Sequence, residues 1–124
     1  MIQGIGVDII SKKRVNNVFE AFPTKFPNKI LTSKELTIFA TLSENKKVSY
    51  LAKKFASKEA VAKALGTGLG FVISFTDISI LNHSNGRPYV VLENSKESLI
   101  GEGKINISIS DEVDNAIAFV IISS

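Results

Sequence analysis

The sequence predicts an α+β domain with a largely antiparallel sheet packed against a long helix. An apolar N-terminal run alternates like a strand, a long mid-chain run has helical periodicity and ends at a glycine, and four further strand-like segments follow, with a hairpin signal between the first two. At 124 residues the chain reads as one domain spanning 1–124.

The first strand is expected over 2–9. Gln3, Ile5, Val7 and Ile9 share one face, and Gly4, Gly6, Asp8 and Ile10 share the other. The Asp8 carboxylate therefore stands beside two residues without side chains, which leaves room for a metal or ligand; a structural Asp at a strand end is the plainer reading. A helix over about 12–21 follows, then a turn punctuated by Pro23 and Pro27, then a helix over about 33–42. The long helix is expected over about 49–65, stopped by Gly66, which suits the left-handed position past a helix end. Leu51, Phe55, Ala62 and Leu65 form its apolar stripe, while Ala52, Ala56, Glu59 and Lys63 lie on a neighbouring face where small alanines admit a strand or a ligand. Glu59 is thereby placed to meet Asp8. Taken alone, Glu59 and Lys63 also read as an i,i+4 surface ion pair worth about 0.2–0.5 kcal/mol.

Strands are expected at about 71–81, 87–93, 104–110 and 115–122, with Asn85-Gly86 as the hairpin signal and a short helix at 95–100. The last strand is apolar on both faces, which predicts cover on both sides, one side being an oligomer contact in a domain this small.

Fifteen Lys+Arg against twelve Asp+Glu give a net charge of +3, with most of the basic residues between positions 12 and 63. That excess favours an anionic partner. Nucleic acid is a poor candidate, because no recognition motif is present and the eight Phe stand mostly at core-like positions. The absence of cysteine excludes a disulfide framework and fits a cytoplasmic protein. No run approaches the roughly 20 apolar residues of a membrane span, and no export signal is expected.

The chemistry-bearing pattern is Gly6-Val7-Asp8, then after about fifty residues Phe55-Ala-Ser-Lys-Glu59-Ala-Val-Ala-Lys63, followed by Ala-Leu-Gly66-Thr-Gly-Leu-Gly70. It resembles the signature of the phosphopantetheinyl transferases and, within that superfamily, the holo-[acyl-carrier-protein] synthases. Lys29-Ile-Leu-Thr-Ser-Lys-Glu35, Ser74-Phe-Thr-Asp-Ile78, Asn85-Gly-Arg-Pro-Tyr89 and Ile107-Ser-Ile-Ser110 fall in the same order and spacing, so the likeness covers nearly the whole chain.

The resemblance implies the 4′-phosphopantetheinyl transferase fold, a homotrimer with active sites at subunit interfaces, and transfer of the 4′-phosphopantetheine of coenzyme A to a serine of apo acyl carrier protein in fatty acid biosynthesis. It makes Asp8 and Glu59 ligands of Mg²⁺, with Mn²⁺ as a substitute, and Lys63 the contact for phosphate charge in the transition state. Coenzyme A contacts are expected from Lys46 and Lys47 in a loop before the long helix, from Lys54 where the family tends to carry Arg, from Gly66, from Gly86, Arg87 and Pro88, and from Asn106 where the family often has His. Exposed loop lysines, simple helix termination and a plain hairpin turn are the alternatives for Lys46 and Lys47, for Gly66 and for positions 85–88. Asn106 can hydrogen-bond a phosphate but cannot carry a proton or positive charge at neutral pH.

Arg14, Lys25, Phe26 and Lys29 match the carrier-docking segment, with Val18 and Phe22 facing either that groove or the core. His83 matches no motif position and reads as a surface residue. Two other classes compete: a small basic nucleic-acid-binding module, which leaves Asp8 and Glu59 unexplained, and a catalytically silent assembly protein of the same fold.

Overall fold

The computed structural model describes residues 1–124. Strand β1 (Ile2–Ser11) leads into helices α1 (Lys12–Ala21), α2 (Lys25–Ile30), α3 (Ser33–Phe39) and α4 (Glu44–Leu65). The hairpin β2 (Ile78–Asn82) and β3 (Pro88–Leu92) follows, then β4 (Lys104–Asp111) and β5 (Asn115–Ser123). The α+β class is as expected, but the strands form two antiparallel sheets, a three-stranded one in the order β1-β5-β4 and the separate β2-β3 hairpin.

Glycines in β1 decide how α4 lies on the larger sheet. A Cβ on Gly6 would overlap the Ala60 carbonyl oxygen and stand 2.8 Å from the Ala64 nitrogen; a Cβ on Gly4 would overlap the Ala64 carbonyl oxygen. The space that the sequence reading left open beside Asp8 is thus filled by the α4 backbone, which crosses the strand at a distance only glycine permits. Ala56, Ala60, Val61, Val120 and Ile122 fill the core between α4, the sheet and the hairpin, and a second core joins the first half of α4 to α1–α3 through Val15, Leu31, Phe39 and Leu51.

Local signals set the boundaries. Ser11 caps α1 by accepting a hydrogen bond from the Arg14 nitrogen, and Thr32 and Glu35 form a reciprocal capping box on α3. Gly66, at φ 79°, ends α4 as its periodicity predicts.

Five assignments differ from the sequence reading. Helix α4 begins at Glu44 rather than near 49, so Lys46 and Lys47 lie in its first turns and not in a loop. The Pro23–Pro27 segment contains α2, because Pro27 falls in the first turn, where its missing N–H leaves no helical bond unmade. Helix α3 stops at Phe39. The strand expected over 71–81 is confined to Ile78–Asn82, because a 3₁₀ turn over Phe75–Asp77 occupies the chain before it. The helix expected over 95–100 is a 3₁₀ turn, Lys96–Leu99.

Along β5 the even residues Ala116, Ala118, Val120 and Ile122 are buried, whereas Ile117 and Phe119 are 38% and 44% exposed. With Ile5, Val7 and Ile9 of β1, they make an uncovered apolar face in the single chain.

Beneath the second core lies a buried ion pair. The Lys58 ammonium donates to Glu35 Oε1 and to the Ile30 carbonyl, each at 2.5 Å, and to the Phe75 carbonyl at 3.1 Å. Glu35 also accepts from the backbone nitrogens of Thr32 at 2.9 Å and Ile80 at 2.7 Å, so one pair ties α4 to α2, α3, the 3₁₀ turn and β2. Burial lowers the Lys58 pKa, and Glu35 opposes the shift.

Candidate active site at the crossing of β1 and α4

The close approach at Gly6 brings the two predicted segments together. Asp8, two residues on, points toward α4, and the Lys63 ammonium donates to Asp8 Oδ1 at 3.2 Å and to the Val7 carbonyl at 2.9 Å. Glu59 lies one helical turn before Lys63 and is half-buried. Its pKa is raised by burial and then by the negative charge of Asp8, with Lys63 pulling the other way. The i,i+4 ion pair with Glu59 is not formed: Lys63 instead bridges helix to strand, pairing with Asp8 beside Glu59.

That donor set suits a hard divalent cation sharing its shell with substrate. Within one chain Asp8 and Glu59 offer two carboxylates, a number typical of Mg²⁺ sites completed by water and phosphate.

Two cavities open along the first half of α4. One, of about 210 Å³, lies between Tyr50, Lys53 and Lys54 on the helix and Asn82, Gly86 and Pro88 on the hairpin. The next, of about 360 Å³, is bordered by Asn45, Lys46, Ser49, Tyr50 and Lys53. A third, of about 340 Å³, opens beside Lys63 between Gly6, Val7 and Phe119 on the uncovered sheet face.

The structure distributes the other expected residues unevenly. Lys46 stands at the rim of the second cavity, and Gly86 and Pro88 wall the first. Arg87 is exposed in the hairpin turn. Lys47 is committed elsewhere, to Glu44 at 2.9 Å and to the face of the Phe39 ring. Lys54 faces the first cavity, but its ammonium is buried, donating to the Ile80 carbonyl at 2.7 Å and lying 4.7 Å from the centre of the Tyr50 ring. Gly66 is exposed at the end of α4. Asn106 projects from the outer face of β4, opposite to Ile105 and Ile107 in the core, and so is not brought to Asp8 within one chain.

Arg14, Lys25 and Lys29 are exposed, while Phe26 is half-buried against the second core. Val18 and Phe22 face outward, 41% and 53% exposed, which places them beside the basic residues and outside the core. His83 is a surface residue as expected, stacked on Tyr89 at 4.3 Å.

Sequence reasoning missed Lys53, Ser49 and Asp111. Asp111 Oδ2 accepts from Lys12 at 2.8 Å and from Ser49 at 2.9 Å, and these hydrogen bonds hold its carboxyl below the usual range. The available signal was spacing: Lys46 and Lys53 are seven apart and share a helix face once the helix is extended to Glu44.

The family model for the 4′-phosphopantetheinyl transferase superfamily matches residues 4–118. The chain is 43% identical to a holo-[acyl-carrier-protein] synthase of Orientia tsutsugamushi, over all of this chain and 98% of that protein. Its fold superposes on the crystal structure of holo-[acyl-carrier-protein] synthase from Neisseria meningitidis with a TM-score of 0.93 at 38% identity, each chain covered in full. The synthase from Bacillus anthracis, crystallised in complex with CoA (3′,5′-ADP), gives 0.88 at 35% identity over 100% of this chain and 98% of that one. With the Asp8, Glu59 and Lys63 arrangement and the whole chain aligned, the protein belongs to the 4′-phosphopantetheinyl transferase superfamily, in its holo-[acyl-carrier-protein] synthase family.

Proposed function

We propose that this protein transfers the 4′-phosphopantetheine group of coenzyme A to a serine hydroxyl of apo acyl carrier protein, giving holo-carrier and adenosine 3′,5′-bisphosphate for fatty acid biosynthesis. The observation that carries the reading is the convergence of Asp8, Glu59 and Lys63 where β1 meets α4. The reaction breaks a phosphoanhydride bond while the serine oxygen bonds to the β-phosphorus, so negative charge must be held on the pyrophosphate throughout. Lys63, anchored by the Val7 carbonyl, presents a fixed positive charge for it.

Asp8 and Glu59 would hold Mg²⁺, and the raised proton affinity of Glu59 fits a carboxylate whose natural neighbour is a cation. When bound, the ion supplies further charge neutralisation on the substrate phosphates. The nucleotide is assigned to the cavities along α4, with Gly86 and Pro88 as one wall and Lys46 at the rim. The exposed basic residues Arg14, Lys25 and Lys29, with Val18 and Phe22 beside them, suit an acidic helical carrier.

The uncovered apolar face carrying Ile5, Val7, Ile9, Ile117 and Phe119 supports a homotrimer. It adjoins the cavity beside Lys63, so a neighbouring copy would complete the site and could bring its own Asn106 there. A cytoplasmic location is proposed from the carrier and the absence of cysteine; no helix is long and apolar enough to cross a membrane.

The test is intact-mass spectrometry of an apo acyl carrier protein incubated with this protein, coenzyme A and Mg²⁺. A gain of about 340 Da, the mass of the transferred group, is expected; it should vanish in the Asp8→Ala/Glu59→Ala variant and with EDTA. No gain with a cognate carrier would favour a silent assembly protein.

A further inference from the structure

Of the nine asparagines, only Asn85 and Asn94 lie outside helices and strands, and their surroundings differ. We propose that Asn85 is a self-modifying site: the Gly86 nitrogen closes on the Asn85 carboxamide with loss of ammonia, and water opens the ring to aspartate or isoaspartate, displacing the hairpin wall of the cavity beside α4. The effect on activity rests on the assignment of the coenzyme A nucleotide to that cavity.

The hairpin tip, residues 82–87, is exposed throughout. Gly86 takes φ 89°, a conformation that favours glycine, and open space surrounds its α-carbon. The residue that closes the turn therefore places an unhindered peptide nitrogen directly after a side-chain amide. Asn85 Oδ1 accepts from the Arg87 nitrogen at 3.0 Å. Negative charge gathers on that oxygen when a nucleophile adds to Cγ, so the Arg87 N–H already stands where the oxyanion would be held. Asn85 Nδ2, the leaving group, has no partner in the chain, whereas Asn94 Nδ2 donates to Asp77 Oδ1 at 2.8 Å and is followed by Ser95, which carries a side chain.

The step balances with water as the sole co-reactant. Gly86 N–H gives its proton to hydroxide, the N–Cγ bond forms, the Cγ–Nδ2 bond breaks, and Nδ2 departs as ammonia with a proton from water. Hydrolysis of the five-membered imide at the side-chain carbonyl gives aspartate, and at the main-chain carbonyl gives isoaspartate; nothing is oxidised or reduced. Gly86 N–H donates to the His83 carbonyl at 2.9 Å, and that bond must open first. Exposed backbone bonds at a loop tip open locally at low cost.

Isoaspartate lengthens the main chain of the tip by one methylene. The bond from His83 nitrogen to the Arg87 carbonyl, at 2.9 Å, and that from Asn82 Nδ2 to the Gly86 carbonyl, at 2.8 Å, both span the tip and depend on its length. Gly86 and Pro88 border the cavity, so the same change moves its wall.

The test ages the folded protein without substrate in buffers of rising pH, then maps its peptides by mass spectrometry with chromatographic separation of the two acid isomers. Conversion is expected at Asn85 with release of ammonia, faster as pH rises, while Asn94 stays an amide. Aged protein should show a lower melting temperature and a higher KM for coenzyme A in proportion to its isoaspartate content. Asn85→Gln, whose longer side chain would need a six-membered ring, should show neither change relative to its own fresh sample, and fresh Asn85→Asp, an acid without the extra methylene, should melt like the fresh parent. An Asn85 that remains an amide, conversion that ignores pH, or isoaspartate that leaves the melting temperature or the KM unchanged would overturn the inference. If fresh protein neither binds nor uses coenzyme A, the parent reading fails, and the peptide map and melting temperature still decide the modification.

Discussion

Substituting Gly6 by alanine tests whether fold and site share one hinge. The added Cβ would overlap the Ala60 carbonyl oxygen and lie 2.8 Å from the Ala64 nitrogen and 3.0 Å from the Lys63 Cβ. Two of these obstacles are backbone atoms in the last two turns of α4, so no rotamer change relieves them. Strand and helix must separate, and such overpacking typically costs about 1–3 kcal/mol. With an unfolding entropy of about 0.26 kcal/mol per kelvin for a chain of this length, the melting temperature should fall by about 4–12 °C. Asp8 lies two residues along the displaced strand and Glu59 and Lys63 on the displaced helix, and a misplacement near 1 Å in such a constellation can cost about a hundredfold in rate. Thermal unfolding by circular dichroism at fixed protein concentration gives the first quantity, and carrier modification followed by mass spectrometry gives the second. A variant that melts within about 1 °C of the parent and keeps full activity would refute the claim that β1–α4 contact distance sets the site.

Lys58→Met leaves Glu35 charged and without its partner in the interior, a loss of about 3–5 kcal/mol that should lower the melting temperature by about 12–19 °C. Glu35→Leu/Lys58→Met, which removes both charges, should recover most of it; calorimetry checks both, and a double variant no better than the single would oppose the assignment. Glu93, held below the usual carboxylate range by hydrogen bonds from Ser79 and then Lys34, and Asp111, held there by Lys12 and then Ser49, each favour the folded state above their ordinary pKa values of 4.5 and 3.8. Their contribution is lost as pH falls through the lower folded values, so melting temperature should drop steeply in acid and less steeply in Glu93→Gln and Asp111→Asn, as a pH series of melts would show. Phe119→Glu, on the uncovered sheet face, should leave the monomer folded while reducing assembly and carrier modification together, measured by light scattering and the mass assay.

The parts of the fold legible in the sequence are those where local pattern and tertiary demand coincide. The alternation in β1, the stop at Gly66 and the Asn85-Gly86 turn each have a short-range cause, and each is found in place. The start of α4 is not legible because its first turn, Glu44 to Lys47, is polar and shows no apolar stripe; its helicity comes from continuity with the buried half that follows. Pro27 read as a break because proline is usually one, yet a first-turn proline initiates a helix. The apolar residues from Phe71 onward read as strand, but the capping box of Ser74 and Asp77 closes a 3₁₀ turn there, and local polar hydrogen bonds prevail over side-chain pattern.

The candidate site divides in the same way. Asp8, Glu59 and Lys63 could be paired from the sequence because helix and strand periodicities each assign them a face, and the glycines and alanines indicate which faces touch. The burial of Lys54 beside an exposed-side neighbour could not be read, since adjacent lysines are chemically identical until a carbonyl 26 residues away claims one of them. Glu35 and Lys58 show the same limit from the other side: both have the composition of a solvated surface, and both are wholly buried because each completes the other's hydrogen bonds. Lys58 and Glu59 are neighbours on α4, one turned inward to fix the helix against four other elements and the other turned toward Asp8. The motif thus joins a lysine that completes the interior to a glutamate that faces a like charge across the strand.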